Sequence, residues 1–196
     1  MADLGSEEEL LLRLSSMPVH HSMRGLFFNS VLEVVRQLGD EHAVNECLKA
    51  CGEPRYLDFF SYPTSGYVQL LYTAARLLTP RYGSFEEALR AMGSRTITKF
   101  LASVAGKALQ LVVERNPQRL LNNIPVVHRT VLRGGECSMN WVGPTGGLLT
   151  IQRISAPAPF IEGALQTLFD ATNVRGAKVT SRQTAPLDVE FDIAWD

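Results

Sequence analysis

The hydrophobic period of this 196-residue chain changes character at Pro125. Before it, apolar residues recur every three to four positions, the spacing that gives a helix one buried face. After it they alternate or run in short β-rich blocks, the spacing of strands. That order, helices first and then strands with one helix returning at 160–172, reads as an α+β protein. The expected architecture is one domain over 1–196: a helical N-terminal lobe, residues 1–124, then an antiparallel sheet with a packed helix, residues 125–196.

The punctuation divides the helical part. Ser6 with Glu9 forms a capping box for a helix over 6–15, and PVHHS at 18–22 interrupts the pattern. Leu26, Phe27, Val31, Leu32, Val34, Val35 and Leu38 give the next apolar face, stopped by Gly39. Asp40 opens a helix that turns Ala43, Val44, Cys47, Leu48 and Cys51 inward, and Gly52 closes it. Residues 65–78 are amphipathic, with Pro80 ending that run. Ser84 and Glu87 cap a helix ended by Gly93; residues 95–114 form the longest helix, and 117–122 a short turn. Beyond Pro125, VVHRTVLR, ECSMNWV and GLLTIQRI read as strands separated by Gly134-Gly135 and by the turn Gly143 to Gly147. SAPAP at 155–159 is a loop, 160–172 a helix, and 177–183 and 188–195 are strands. In the last strand Val189, Phe191, Ile193 and Trp195 alternate with Glu190, Asp192 and Ala194, one face buried and one solvated. The order is about six helices followed by ββ(β)αββ.

Composition narrows function by exclusion. Nineteen Lys+Arg against 20 Asp+Glu leave a net charge of -1, without the basic excess that phosphate recognition needs, so no nucleic-acid partner is expected. No stretch approaches the roughly 20 apolar residues of a membrane span, and the N-terminus is acidic where a signal peptide is basic. Three cysteines, an odd number, make no disulfide framework, and a reduced, cytoplasmic protein is the plain expectation. Cys47 and Cys51 form one Cys-x(3)-Cys pair inside an apolar helical pattern, and His128 is a further soft ligand. All three are weak metal candidates without the second ligand pair of a structural zinc site. The sequence holds no Gly-x-Ser-x-Gly elbow and no phosphate loop; Asp188, Glu190 and Asp192 share the polar face of a strand. No cofactor is expected, and binding is favoured over catalysis. The aromatic residues gather in the helical half. Phe27, Phe28, Phe59, Phe60 and Tyr62 are the candidate lining of an apolar ligand pocket, with ordinary helix packing as the alternative role for the same residues.

The strings MRGLFFNSVLEVVRQLG, YLDFFSYPTSGYVQLLYTAARLL, RALRAMGSRTITKFLAS and PAPFIEGALQTLFDATN resemble a myxobacterial paralogous family of about this length to which no activity is assigned. The resemblance spans residues 6–195, and RGLFFN and DFFSYP are its most specific parts. More distantly, Ser61-Tyr62-Pro63, the helices after it and the closing sheet-plus-helix are similar to haem nitric-oxide/oxygen-binding (H-NOX) and vinyl-reductase-like domains. That resemblance implies a sensor-like regulatory domain binding haem, an aromatic effector or lipid, or a scaffold that dimerises. Haem-binding members carry a proximal His on a helix and a Tyr-x-Ser-x-Arg clamp on the propionates. Here His128 is expected at a strand start, and the clamp region has Arg153 for Tyr, Ser155 matching and Pro157 for Arg. Without that guanidinium the bidentate charge-assisted bonds are lost, so haem gas sensing is disfavoured. The leading expectation is a non-enzymatic domain that binds a small apolar ligand or a protein partner. The alternative is a homodimerising module that pairs through an exposed helix.

Overall fold

The computed structural model describes residues 3–172 and 174–196; Met1, Ala2, Asn173 and the side chain of Ala105 lie outside the description. Among the described residues, eight helices and seven strands follow in the order α1 (Glu7–Ser16), β1 (Ser22–Arg24), α2 (Gly25–Leu38), α3 (Glu41–Cys51), β2 (Ser61–Pro63), α4 (Thr64–Tyr82), α5 (Phe85–Ala102), α6 (Val104–Val113), α7 (Pro117–Val131), β3 (Leu132–Arg133), β4 (Glu136–Gly143), β5 (Gly146–Gln152), α8 (Ala158–Asp170), β6 (Lys178–Ala185) and β7 (Asp188–Ala194). The fold is α+β, as the switch of period implies. Side-chain oxygens of Ser6, Asp40 and Ser84 accept from the backbone N–H three residues on, which fixes the starts of α1, α3 and α5.

The larger sheet is antiparallel with strand order β4-β5-β7-β6. Leu149 and Ile151 on β5 and Val189, Phe191 and Ile193 on β7 are buried, so the alternation read in the last strand is realised as a one-sided sheet. Helix α8 packs on that side through Leu165 and Phe169. Its other side crosses α5 so closely that a Cβ on Gly93 would sit 1.9 Å from the Phe160 carbonyl oxygen, and one on Gly163 2.0 Å from that of Arg90. Across this crossing Arg90 reaches Glu162 at 2.8 Å, and Glu162 also accepts from the Ser181 backbone N–H at 3.1 Å, tying α5, α8 and β6 together.

Several sequence boundaries are corrected. Gly93 does not end a helix: α5 runs through it, and the glycine serves a close helix crossing. The expected single helix over 95–114 is two, because Ser103 caps the end of α5 and the start of α6 and the path turns by 85°. Helix α4 continues past Pro80 to Tyr82, and Gly83 ends it with φ 87°. Most consequentially, Pro125 lies inside α7, so VVHRTV is helix and only Leu132–Arg133 pairs as a strand. A helix-interior proline costs about 3 kcal/mol. Leu120 and Leu121, buried just before it, keep the apolar stripe on the core, and burial outweighs the penalty. Of the small antiparallel sheet β2-β1-β3 only Leu132–Arg133 falls in an expected strand; β1 and β2 are three residues long, too short for any periodicity.

Candidate functional site

Between the helices and the larger sheet lies an apolar pocket of ≈ 160 Å³. Each wall follows from local periodicity. Helix α7 offers Leu120, Asn123-Ile124, Val127-His128 and Val131, one stripe at helical spacing; α8 offers Ile161, Ala164-Leu165 and Leu168 in the same way. Leu149 and Ile151, two apart on β5, point to one face of the sheet and form the floor, while Ile97 and Phe100 of α5, Leu109 of α6 and Phe27 of α2 complete it. The volume is close to the roughly 150 Å³ of engineered Leu/Ile/Phe-lined cavities that stay dry and admit benzene or xenon.

Among the lining groups His128 stands apart. Both its Nδ1 and Nε2 are shielded from solvent and have no hydrogen-bond partner among the described residues. Burial, then the neighbouring Arg129 charge, push its pKa below the ordinary histidine value, so the ring is neutral at pH 7. A neutral imidazole has one N–H to donate and one lone pair that accepts, and both are unmet here. An unsatisfied buried polar group costs about 1–3 kcal/mol. Asn123, the other polar lining residue, is already engaged: its Nδ2 donates to the Arg119 carbonyl at 2.8 Å.

The five aromatic candidates do not converge. Phe27 lines the pocket. Phe28 is fully buried and stacks on Tyr56 with ring centroids 4.1 Å apart, so it belongs to the helical core. Tyr62 packs edge-on against both Phe28 and Tyr56 and receives the Leu57 backbone N–H on its hydroxyl at 2.9 Å. Phe59 and Phe60 are 89% and 62% exposed, in the chain leading into β2. The sequence reading misses the pocket wall from α7, because 125–133 has the composition of a strand, and it reads the α8 stripe as a helix face without naming it as pocket lining. The unbroken spacing of Leu120, Ile124, Val127 and Val131 through Pro125 is the signal that finds the α7 wall. Cys47 and Cys51 lie on α3 and His128 on α7, and no group of three or more His, Cys, Asp or Glu side chains is placed to hold a metal among the described residues. Burial pushes the Cys47 thiol up to about 12 and those of Cys51 and Cys137 to about 11.

His128 is on a helix, not at a strand start, which corrects one departure from the haem-binding pattern. The remaining features do not fit haem. Arg153 turns outward with φ 55°, its side chain on Glu136 at 3.0 Å and its backbone N–H on Asp188 at 2.8 Å. Ser155 is buried, and Pro157, where a guanidinium would clamp propionate, is the residue before α8 and carries no donor. A pocket of ≈ 160 Å³ takes one ring, not a macrocycle of four.

No curated protein matches the chain. Among solved structures, the chain is similar to the Fe(II) unliganded H-NOX protein from K. algicida, with TM-score 0.71 and 16% identity over 89% of this chain and 97% of that one. The S. oneidensis H-NOX protein in the Fe(II)NO ligation state gives TM-score 0.68 and 15% identity, covering 89% of this chain and 99% of that one. A third likeness, the H-NOX from Shewanella woodyi in the Fe(II)CO ligation state, has TM-score 0.59 and 16% identity over 89% of this chain and 95% of that one. At these identities the likeness is one of fold: this chain has the H-NOX architecture. A family model matches residues 17–196, nearly the whole chain, so the protein belongs to the family described as protein of unknown function (DUF2378).

Proposed function

We propose that this protein is a non-enzymatic, ligand-responsive regulatory domain that takes a small apolar molecule into the pocket between α5, α7, α8 and β5. The observation that carries this reading is a pocket whose lining is apolar apart from Asn123 and His128 and whose volume suits a single ring. The H-NOX likeness supports it, because the K. algicida and S. oneidensis structures are of proteins described by their Fe(II) ligation states, ligand-binding domains of the same architecture. Helix α6 connects site and surface: Leu109 forms pocket wall, while Val104 and Leu111 are 88% and 78% exposed. A filled pocket would hold α6 in one position and so change the face a partner meets. Free thiols at Cys47, Cys51 and Cys137 accord with a reducing, cytoplasmic setting.

The test is an NMR titration of the protein with toluene, repeated on Leu168→Trp, which plugs the pocket from its half-buried wall. Saturable shifts at Ile97, Leu149 and Leu165 in the parent and none in the plugged variant are expected. Absence of saturable binding in the parent would overturn the reading.

The exposed apolar face of α6 favours a second reading, a homodimerising module. Light scattering distinguishes it: a dimer that Leu111→Lys splits supports this role, and a monomer at high concentration removes it.

A further inference from the structure

We propose that a second space, the groove between α6, the start of α7 and the end of α8, binds a small amphipathic carboxylate. The groove has a volume of ≈ 390 Å³ and shares only Leu109, Leu120 and Leu168 with the pocket, so the proposal stands apart from the pocket reading. Its wall is largely aliphatic. Leu109 and Val113, four apart on α6, form one flank, with Leu120 of α7 and Leu168 of α8 completing it. Lys107 of α6 and Arg115, just past the end of that helix, also line it, and the lining contains no Asp or Glu. Both residues are exposed, and neither joins an ion pair among the described residues. The acidic neighbours in sequence are engaged elsewhere: Glu114 pairs with Arg119, and Asp170 accepts from Gln166 at 3.4 Å.

An apolar wall beside two unpaired cations calls for a ligand with two parts. A hydrocarbon covers the leucines but gains nothing from the positive field, and an inorganic anion does the reverse. A carboxylate on a short chain uses both, and a guanidinium can hold its two oxygens bidentately. The backbone adds an independent observation. Glu114 and Arg115 have φ of 50° and 58°, a region that long side chains rarely occupy and glycine occupies freely. Glu114 ends α6 there, its N–H donating to the Gln110 carbonyl, so the cap accounts for that residue. The cap does not account for Arg115. Strained residues concentrate at ligand sites, and here the strain is kept at a residue that lines the groove.

Octanoate, octan-1-ol and octylamine carry one chain with a negative, a neutral and a positive head at neutral pH. They test the proposal on the full-length chain by NMR titration read at Leu111 and Val113, which line the groove and not the pocket. Octanoate is expected to bind about five- to tenfold more tightly than octan-1-ol, the worth of one or two screened ion pairs, with octylamine weakest. That margin is expected to shrink as salt rises from about 0.02 to about 0.5 M. In the double variant Lys107→Glu, Arg115→Glu the order is expected to reverse. Should that variant not fold, the order and salt dependence in the parent decide alone. Octanoate no tighter than octan-1-ol in the parent, or an order unchanged by the double substitution, overturns the proposal. Inorganic phosphate binding as tightly as octanoate overturns it too, because the groove would then read charge alone. Toluene shifts at Ile97, Leu149 and Leu165 judge the pocket reading separately, whichever way octanoate behaves.

Discussion

Replacing Gly93 by alanine inverts what helix propensity alone would give. In an exposed helix interior, glycine to alanine stabilises by about 1 kcal/mol. Here the new methyl would lie 1.9 Å from the Phe160 carbonyl oxygen and 2.9 Å from its carbon, both backbone atoms that no rotamer can move aside. Relief requires α5 and α8 to separate by more than an ångström. Separations of that size forfeit about half of the dispersion energy of facing atoms. Overpacking of a core costs about 1–3 kcal/mol, and a clash against rigid backbone falls at the upper end. Subtracting the propensity gain leaves a net loss of about 2 kcal/mol, or a fall in melting temperature of about 4–8 °C for a domain of this size. Urea unfolding read by circular dichroism measures it directly, with an unchanged slope and a lower midpoint expected. Gly163→Ala makes the reciprocal clash with the Arg90 carbonyl oxygen at 2.0 Å, and the double variant is expected to lose less than the sum, because separated helices accommodate the second methyl. A Gly93→Ala protein as stable as the parent, or more so, would refute the close crossing.

Four further outcomes follow from the same structure. Stability is expected to be level between about pH 7 and 8 and to fall as pH drops below about 6.5, the ordinary histidine value. The pKa of His21 is lowered by burial, then His20, then Arg153, and that of His128 by burial, then Arg129, so the unfolded chain takes up protons there first. Urea midpoints at about pH 5 and 8, either side of that value, check this, and His128→Leu should flatten the slope. At the higher pH, His128→Leu is also expected to be at least as stable as the parent, since it removes an unpaired buried polar group that costs about 1–3 kcal/mol; a clear loss of stability would reveal an unseen partner. The Cys51 and Cys137 thiols, raised to about 11, should alkylate about a hundredfold more slowly at mildly alkaline pH than in the unfolded chain, as mass spectrometry would show. Tyr72→Phe should cost about 1–3 kcal/mol in thermal unfolding, because the Tyr72 hydroxyl links Glu9 to the Nε of Arg13, whose side chain is 3% exposed.

Local signals are most legible where a side chain or glycine acts on its own backbone. Ser6, Asp40 and Ser84 cap the helices the sequence starts at them, and Gly39 and Gly52 close theirs. Alternation in 188–195 yields the one-sided strand because burial there depends on a period of two. Signals with two physical meanings mislead. Gly93 reads as a terminator, yet the same missing Cβ permits a close crossing, and only the partner helix reveals which. Pro125 reads as a stop, yet stripe residues on both sides of it are held by tertiary packing. That second misreading hides the pocket, since it turns the α7 wall into a strand and places His128 outside it. The aromatic strings draw attention to Phe28 and Tyr62, which build the helical core, because a large ring is equally suited to filling a core and to lining a cavity.

Xenon offers the most direct test of the central claim that an apolar, ligand-accepting pocket lies between α5, α7, α8 and β5. Diffraction from crystals held under xenon pressure locates the atom by its anomalous signal and needs no knowledge of the natural ligand. The expected result is one strong site in contact with Ile97, Leu149 and Leu165, absent from Leu168→Trp. A pocket that stays empty of xenon, with side chains closed over it, would contradict the claim.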